Sequence, residues 1–232
     1  MPFVLSIREK LKARIALIGP SGSGKTYTAL GIAQGLGARV ALIDTEFGSS
    51  RRYADEFAFD VMDLASQSPH NYVKAIGEAV AAGYDVLIID SLSHAWMGVD
   101  GALAMVDAYA EKNRNNSFGA WRTVTPRLAQ LTTTILGAPL HIIATMRAKM
   151  EYVLEQSGGK QTPRKVGLAP VQRNDIEYEF DITAWMDSEH DLRVDKTRMR
   201  ELDGHKEHRA GKALGERIAK WCDSGVKASS AA

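Results

Sequence analysis

The stretch GPSGSGKT, residues 19–26, decides the fold of this 232-residue chain. It fits the pattern G-x-x-x-x-G-K-[ST], in which backbone N–H groups of a glycine-rich loop surround the phosphates of a nucleotide. A β-rich apolar run at 14–19 precedes the stretch, and a helical pattern at 25–37 follows it. Because phosphates bind at the N-terminus of a helix that follows a strand, this order favours a P-loop nucleotide site over a glycine-rich turn without a ligand.

Two side chains of this loop have separate tasks in a P-loop site. Lys25 is expected to reach the β- and γ-phosphates, and the Thr26 hydroxyl is expected to bind Mg²⁺. ATP and Mg²⁺ are therefore the predicted cofactors. The residues predicted to bind the nucleotide are Gly19, Pro20, Ser21, Gly22, Ser23, Gly24, Lys25, Thr26 and Tyr27.

Composition limits the possible classes of protein. A chain of 232 residues is long enough for one substantial α/β domain and too short for two. The net charge of +1 means that any contact with nucleic acid must come from local clusters. The single cysteine, Cys222, excludes an internal disulfide and suits a reducing cytosol. No apolar run approaches the roughly 20 residues that span a bilayer, so we expect a cytoplasmic protein with no membrane partner.

Short apolar runs alternate with longer helical patterns, which predicts parallel strands joined by helical crossovers. After residue 146 come a basic block, an acidic block and a further strand or hairpin arm at 191–202. We therefore expect an α/β fold with a mainly parallel sheet flanked by helices and with C-terminal antiparallel strands. The predicted strands are 14–19, 39–44, 59–64, 85–90 and 139–146, and the predicted helices are 25–37, 68–83, 101–113 and 120–137. The predicted divisions are an N-terminal segment at 1–13, an ATPase core at 14–222 and a flexible tail at 223–232.

Acidic residues follow two of the predicted strands. Asp90 ends the buried run VLIID and is expected to hold the metal, yet Ser91 follows it where many ATPases have a glutamate that prepares water. Asp44 and Glu46 end the neighbouring strand, at the edge where open α/β sheets bind ligands. Alternation places both on one side of the strand, and Glu46 can extend over the γ-phosphate and orient water. The alternative is that Glu46 is an ordinary loop acid.

Three segments resemble RecA-type recombinases. RVALIDTEFGSSRRYADEFAFDV (39–61) is similar to their second-strand segment with its catalytic glutamate, and VLIIDSLSHAW (86–96) to their metal-binding strand. Residues 115–149 are similar to the stretch from the first DNA-binding loop to the γ-phosphate sensor. The layout resembles the small core-only RecA-type ATPases of bacteriophages, which are classed with AAA proteins and linked to single-strand annealing and recombination. If a phage encodes this protein, the expected location is the host cytoplasm. The resemblance implies a RecA-like ATPase with Glu46 as the catalytic acid.

The resemblance also implies assembly into a homo-oligomeric ring or filament. Thr145 stands where the sensor strand of this family ends in a polar amide, and it can still bond a phosphate or water. Lys196 and Arg198 fall where such proteins present cations to the γ-phosphate of a neighbouring subunit. The alternative for this pair is two solvated strand residues.

Single-stranded DNA is the partner that the resemblance implies, with a single-strand-binding protein as a further candidate. The segment after the sensor strand, 147–173, holds six Lys/Arg against two Glu and includes Gly-Gly and two prolines, which favours a mobile loop. Such a loop suits contacts to a nucleic-acid backbone, although surface loops are commonly basic. The predicted DNA-binding residues are Lys112, Arg114, Arg147, Lys149, Lys160, Arg164, Lys165 and Arg173.

Two other functions stay open at this point. A nucleotide or small-molecule kinase needs an acceptor pocket and an arginine-rich lid, which Arg51 and Arg52 are placed to begin. An accessory protein that binds ATP and barely hydrolyses it has the same motifs. Hydrolysis that responds to single-stranded DNA distinguishes the first interpretation from these two.

Overall fold

The computed structural model describes residues 3, 5–113, 116–157 and 160–226, with residues 151–157 and 160–166 described by their backbone only. Arg114 and the last part of the predicted tail, residues 227–232, lie outside this description. Within the described residues, none of the helices combines the length and the apolar character that a bilayer crossing requires.

Nine strands form one sheet in the described part of the chain. Their order across the sheet is β3-β2-β4-β5-β1-β7-β8-β9, and β6 pairs with the far end of β5. The strands β3, β2, β4, β5, β1 and β7 are parallel, whereas β8 and β9 are antiparallel, as the sequence predicts. The strands are β1 (Arg14–Gly19), β2 (Val40–Asp44), β3 (Asp60–Asp63), β4 (Val86–Asp90), β5 (His141–Ser157), β6 (Lys160–Pro170), β7 (Ile182–Met186), β8 (Asp191–Thr197) and β9 (Lys206–His208).

The helices cover both faces of the sheet, because the central strands are apolar on both sides. In β1, Ile15 and Leu17 pack in one core with α1 and α6, while Ala16 and Ile18 pack in the opposite core with α2 and α5. The helices are α1 (Lys25–Leu36), α2 (Pro69–Ala81), α3 (His94–Met97), α4 (Ala102–Lys112), α5 (Ser117–Gly137) and α6 (Lys212–Asp223), with 3₁₀ turns at Ser49–Tyr53, Ile176–Glu179 and Arg200–Leu202.

The segment that precedes β1 runs along the end of α6. The backbone N–H of Lys10 donates to the carbonyl of Val226 at 2.9 Å, and the N–H of Val226 donates to the carbonyl of Arg8 at 2.8 Å. The Arg8 guanidinium donates to the carbonyl of Trp221 and lies over its ring. The two ends of the described chain are therefore joined at the edge of the sheet opposite the P-loop.

The basic segment 147–173 is not the glycine- and proline-containing loop that the sequence predicts. Strand β5 continues past the core for 17 residues in all and pairs antiparallel with β6, from Ala148 opposite Pro170 to Ser157 opposite Lys160. Gly-Gly at 158–159 separates two runs that both favour strands, which is a hairpin pattern. The prolines misled the prediction, because proline is compatible with a strand that lacks a second neighbour.

Gly35 lies in the last turn of α1 and has a packing role there. A Cβ at Gly35 would lie 2.2 Å from the carbonyl oxygen of Lys212, and a Cβ at Gly215 would lie 2.1 Å from the carbonyl oxygen of Ile32. The two glycines therefore allow α1 and α6 to approach until their backbones touch. This contact supports the helix whose first turn carries the P-loop.

Alanine substitutions at a packed glycine and at an open glycine are expected to change stability in opposite directions. Gly35→Ala is expected to lower the free energy of unfolding by about 1–3 kcal/mol, because the helices must separate. Gly77→Ala is the matched control: Gly77 lies in α2, a methyl group added there would have nothing within 4 Å, and its substitution is expected to raise stability by about 0.5–1 kcal/mol. Urea unfolding measures both, and equal changes at the two positions would contradict the proposed packing role.

Candidate nucleotide site

A cavity of about 900 Å³ opens at the carboxyl edge of the sheet, above the P-loop. Parallel strands end at this edge, so β1, β2, β4 and β5 bring side chains from distant parts of the sequence into one place. The cavity is lined by Ser21, Gly22, Gly24, Lys25, Thr26, Tyr27, Thr28, Glu46, Tyr53, Asp90, Arg147, Ala148, His190 and Arg209.

The backbone of the P-loop has the shape that phosphate binding needs. Gly22 and Gly24 have φ angles of 80° and 84°, which only glycine adopts without strain. The first hydrogen bond of α1 runs from Thr28 N to the Gly24 carbonyl at 2.9 Å, so the preceding N–H groups of that turn have no helical acceptor. These donors and the positive end of the helix dipole fit an anionic phosphate chain.

The Lys25 ammonium lies inside the loop in this structure. Its Nζ donates to the carbonyl oxygen of Pro20 at 2.7 Å. Burial lowers the pKa of Lys25, whereas the negative charges of Asp90 and Glu46 oppose that shift. Of the other predicted residues, Gly19, Pro20 and Ser23 do not line the cavity; Gly19 instead lies against the Met186 backbone, where a Cβ would be 2.6 Å from the carbonyl oxygen.

Asp90 is 3% exposed, and its carboxylate joins β4 to β5 and to the first turn of α1. Thr26 Oγ1 donates to one oxygen at 2.6 Å, and Thr145 Oγ1 donates to the other at 2.5 Å. Burial raises the pKa of Asp90, while the hydrogen bonds from Thr145 and Thr26 lower it. A hydroxyl and a carboxylate side by side are oxygen ligands of the kind that Mg²⁺ prefers, so these residues fit the predicted metal.

Asp44 and Glu46 separate at the end of β2 and do not act as a pair. The Asp44 carboxylate turns into the chain and accepts from Glu46 N at 2.7 Å, from Ser50 N at 3.1 Å and from Ser50 Oγ at 2.5 Å. It therefore shapes the turn after β2. Glu46, which is one-third exposed, lines the cavity.

The Glu46 carboxylate is bound by an arginine from β5. Arg147 Nη2 lies 2.7 Å from Glu46 Oε1, and Arg147 Nε lies 3.3 Å from the same oxygen. The backbone N–H of Arg147 donates to Ser93 Oγ at 2.9 Å. Arg147 is the point where β5 leaves the sheet and enters the hairpin, so a side chain of that hairpin holds the candidate catalytic acid.

Thr145 and Arg147 lie in different surroundings, which the sequence did not predict. The Thr145 hydroxyl, predicted as a phosphate sensor, is fully buried and bonded to Asp90 in this structure. Arg147, predicted to contact DNA, faces the nucleotide cavity. Residues two apart fall on the same side of a regular strand, so the spacing of 145 and 147 could not distinguish a buried contact from an exposed one.

Five cavity residues were not predicted from the sequence: Thr28, Tyr53, Ala148, His190 and Arg209. Tyr53 is the last residue of the 3₁₀ turn Ser49–Tyr53, and its ring is 5.7 Å from that of Tyr27, edge to face. His190 directly precedes β8 and Arg209 directly follows β9, and Arg209 N donates to the His190 carbonyl at 3.0 Å. Their backbones have φ angles of 67° and 50°, a conformation that no sequence pattern here indicated.

Lys196 and Arg198 lie far from the P-loop of their own chain. Because β8 runs antiparallel to β7, both residues fall at the opposite edge of the sheet. Lys196 Nζ donates to the carbonyl oxygens of Phe180, of Tyr178 at 2.7 Å and of Glu177 at 3.3 Å, which caps a 3₁₀ turn. Arg198 Nη1 donates to Asp181 at 2.9 Å and stays largely exposed.

The predicted DNA-binding residues divide into two groups. Lys112 lies exposed at the end of α4, and Lys149 and Arg173 lie exposed near the base of the β5–β6 hairpin. Lys160, Arg164 and Lys165 lie on β6, where only the backbone is described, and Arg114 lies outside the described residues.

The family model for an AAA domain matches residues 11–214. The chain belongs to this AAA domain family. The match covers the P-loop, Asp90 and every strand of the sheet, and membership indicates a nucleotide-binding ATPase. No curated protein matches the sequence of this AAA domain.

The contact between Thr145 and Asp90 predicts how metal-dependent nucleotide binding changes with pH. Thr145→Val removes a donor from the carboxylate, which raises the pKa of Asp90 further. A proton competes with Mg²⁺ for the Asp90 carboxylate. As the pH is lowered, the variant is therefore expected to lose Mg²⁺-dependent nucleotide binding at a higher pH than the wild type does. Titration of a fluorescent ATP analogue with Mg²⁺ at several pH values measures this.

The control for this experiment is Thr145→Ser, which keeps the hydroxyl and should keep the pH profile of the wild type. Identical profiles for the valine and serine variants would show that the hydrogen bond does not tune Asp90.

Proposed function

We propose that this AAA domain is a RecA-like, Mg²⁺-dependent ATPase that acts on single-stranded DNA in phage-type recombination, annealing or replication. The observation that carries the ATPase part is the convergence of Lys25, Thr26, Asp90 and Glu46 on one cavity from three strands of the sheet. A phosphate cradle, a metal carboxylate and a separate acid are the parts that hydrolysis of a phosphoanhydride needs.

Each residue has a distinct task in this mechanism. Lys25 and the first turn of α1 bind the β- and γ-phosphates and stabilise charge that develops on them. Thr26 and Asp90 would hold Mg²⁺, which would neutralise charge on the phosphate oxygens. Glu46 orients the attacking water and accepts its proton. Ser91 follows Asp90, so Glu46 is the acid of this site that is placed to act on water.

The contacts of Lys25 and Glu46 within the chain support slow ATP hydrolysis in the absence of a partner. Lys25 is bonded to Pro20, and Glu46 is bonded to Arg147, so both groups must leave contacts within the chain before they can act. Arg147 begins the basic hairpin, which is the surface that we propose for DNA. Movement of the hairpin on DNA would withdraw the guanidinium and release the carboxylate.

Electrostatics supports DNA as the partner of the hairpin. The segment 147–173 carries a local excess of Lys/Arg within a chain whose net charge is only +1. Backbone phosphates are bound by such clusters without reading of the base sequence. The proposed site of action is the cytoplasm, and a single-strand-binding protein is a second proposed partner.

We also propose that the protein works as a homo-oligomer, a ring or a filament. Arg198 is exposed at the edge of the sheet opposite its own P-loop, a position from which it can reach only the site of a neighbour. Lys196 is committed to three backbone carbonyls, so Arg198 is the stronger of the two predicted cations for this role.

The kinase interpretation receives less support from the geometry. Arg51, one of the two arginines that could begin a lid, forms a two-bond ion pair with Asp63 at 2.6 and 2.8 Å and does not line the cavity. The ATP-binding accessory role is favoured by one observation, the Glu46–Arg147 pair. The ATPase rate with and without single-stranded DNA, over a range of protein concentrations, separates that role from the proposed one.

Glu46→Gln tests the assignment of the catalytic acid. The amide keeps the size of the side chain but cannot accept a proton, so ATP hydrolysis stimulated by DNA is expected to fall by about 100-fold or more. Binding of a fluorescent ATP analogue should persist, because Glu46 does not contact the cradle formed by the P-loop. Phosphate release at the wild-type rate would rule out this assignment.

Arg147→Met tests the coupling of the hairpin to hydrolysis. Loss of the ion pair frees Glu46, so the rate without DNA is expected to rise several-fold and the stimulation by DNA to shrink. Arg173→Met is the matched control, because Arg173 is an exposed cation of the same segment without a contact to Glu46. It should weaken the response to DNA concentration and leave the rate without DNA unchanged. Equal basal rates in wild type and Arg147→Met would contradict the coupling.

A further inference from the structure

His94 is a buried histidine close to the site that the proposed mechanism does not use. It opens α3, four residues after Asp90, and is 8% exposed. Its Nδ1 lies 2.6 Å from Thr45 Oγ1, the hydroxyl of the residue that directly precedes Glu46. Burial, followed by the charge of Arg147, lowers the pKa of His94, which favours the neutral ring, whose Nδ1 can accept a hydrogen bond from the threonine hydroxyl.

Thr45 connects the end of β2 to the end of β4. Its backbone N–H donates to the Asp90 carbonyl at 2.8 Å, and its hydroxyl accepts from Ser91 N at 2.8 Å. The regular pairing of the two strands ends at Asp44 and Asp90, so these bonds extend the contact one residue beyond the ladder. The hydroxyl has one proton, and His94 Nδ1 at 2.6 Å is nearer to it than the Asp90 carbonyl oxygen at 3.0 Å.

The position of Thr45 determines the position of Glu46 relative to the metal carboxylate. Asp44 already holds the backbone N–H of Glu46 at 2.7 Å, but it does so within the same turn. Thr45 makes the bonds that tie this turn to Asp90. A threonine hydroxyl can rotate among staggered positions unless it has a fixed partner, and His94 supplies that partner.

We propose that His94 is a positioning residue for ATP hydrolysis, which acts through the Thr45 hydroxyl to set the placement of Glu46 relative to Asp90. The proposal rests on the ATPase function proposed above. His94 itself lies outside the cavity and touches neither the phosphates nor the attacking water. Its loss should therefore change turnover and leave nucleotide binding intact.

Two substitutions of nearly equal shape isolate the hydrogen bond. In His94→Asn the amide oxygen is attached to Cγ, as Nδ1 is, and can accept from Thr45; in His94→Leu a methyl group takes that place. We expect kcat of the leucine variant to fall about tenfold, because a small displacement of the acid is costly, and kcat of the asparagine variant to stay within about twofold of the wild type. The affinity for a fluorescent ATP analogue should be unchanged in both.

Thr45 provides an independent arm of the test, which also applies if the leucine variant folds poorly. Thr45→Val should lower kcat at least as much as His94→Leu, because it also removes the acceptor of Ser91 N, while Thr45→Ser should retain it. In the double variant His94→Leu/Thr45→Val, kcat should be no lower than in Thr45→Val alone, because the bond that His94→Leu removes is already absent there.

Several outcomes overturn the proposal. A wild-type kcat in His94→Leu or in Thr45→Val would do so. A kcat in His94→Asn that is as low as in His94→Leu would also do so, because the volume of the ring and not the hydrogen bond would then determine turnover. Multiplied losses in the double variant would show that the two residues act separately. Absence of hydrolysis in the wild type with single-stranded DNA would refute the proposed function, whereas hydrolysis in the wild type and full kcat in the variants would refute only the role of His94.

Discussion

The buried carboxylate of Asp90 is the group on which the rest of the site depends. A charge that is 3% exposed is unfavourable unless donors surround it, and here those donors come from Thr26 and Thr145. Thr26 follows β1, Thr145 lies in β5, and Asp90 ends β4, so the donors are in place only when the three strands have their observed register. The P-loop, the metal site and the central sheet therefore form one cooperative unit.

The acid proposed to act on water is held in a different way. Glu46 is one-third exposed, and its partner Arg147 belongs to a hairpin that projects beyond the core. A partly exposed ion pair of this kind contributes little to stability and is easily exchanged for other contacts. The Asp90 side of the site is thus held by buried hydrogen bonds and the Glu46 side by a weaker contact, an arrangement that suits the proposed ATPase whose rate depends on a partner.

The elements near the P-loop were predictable because their patterns are local. The sequence placed β1 at its observed bounds, and the other predicted strands of the core, apart from β5, differ from the structure by one residue at each end or less. It failed for the hairpin, where prolines and glycines favoured a loop, since strand pairing between 148 and 170 depends on a partner that no local pattern reveals. The packing role of Gly35 was not predicted for a related reason, because its close neighbour, Lys212, is distant in the sequence.

The sequence by itself determined the nucleotide motifs of this AAA domain: the P-loop, the aspartate after a buried strand that is proposed to hold the metal, and the absence of an adjacent glutamate. These features follow from residue types at short, fixed spacings, which the backbone of a strand or a helix start converts directly into geometry. Only the tertiary structure decided that Arg147 binds Glu46 across 101 residues, that His94 binds Thr45 across 49, and that His190 and Arg209 reach the cavity. Such pairs depend on strand order, register and side-chain packing, which emerge only when the whole chain is folded.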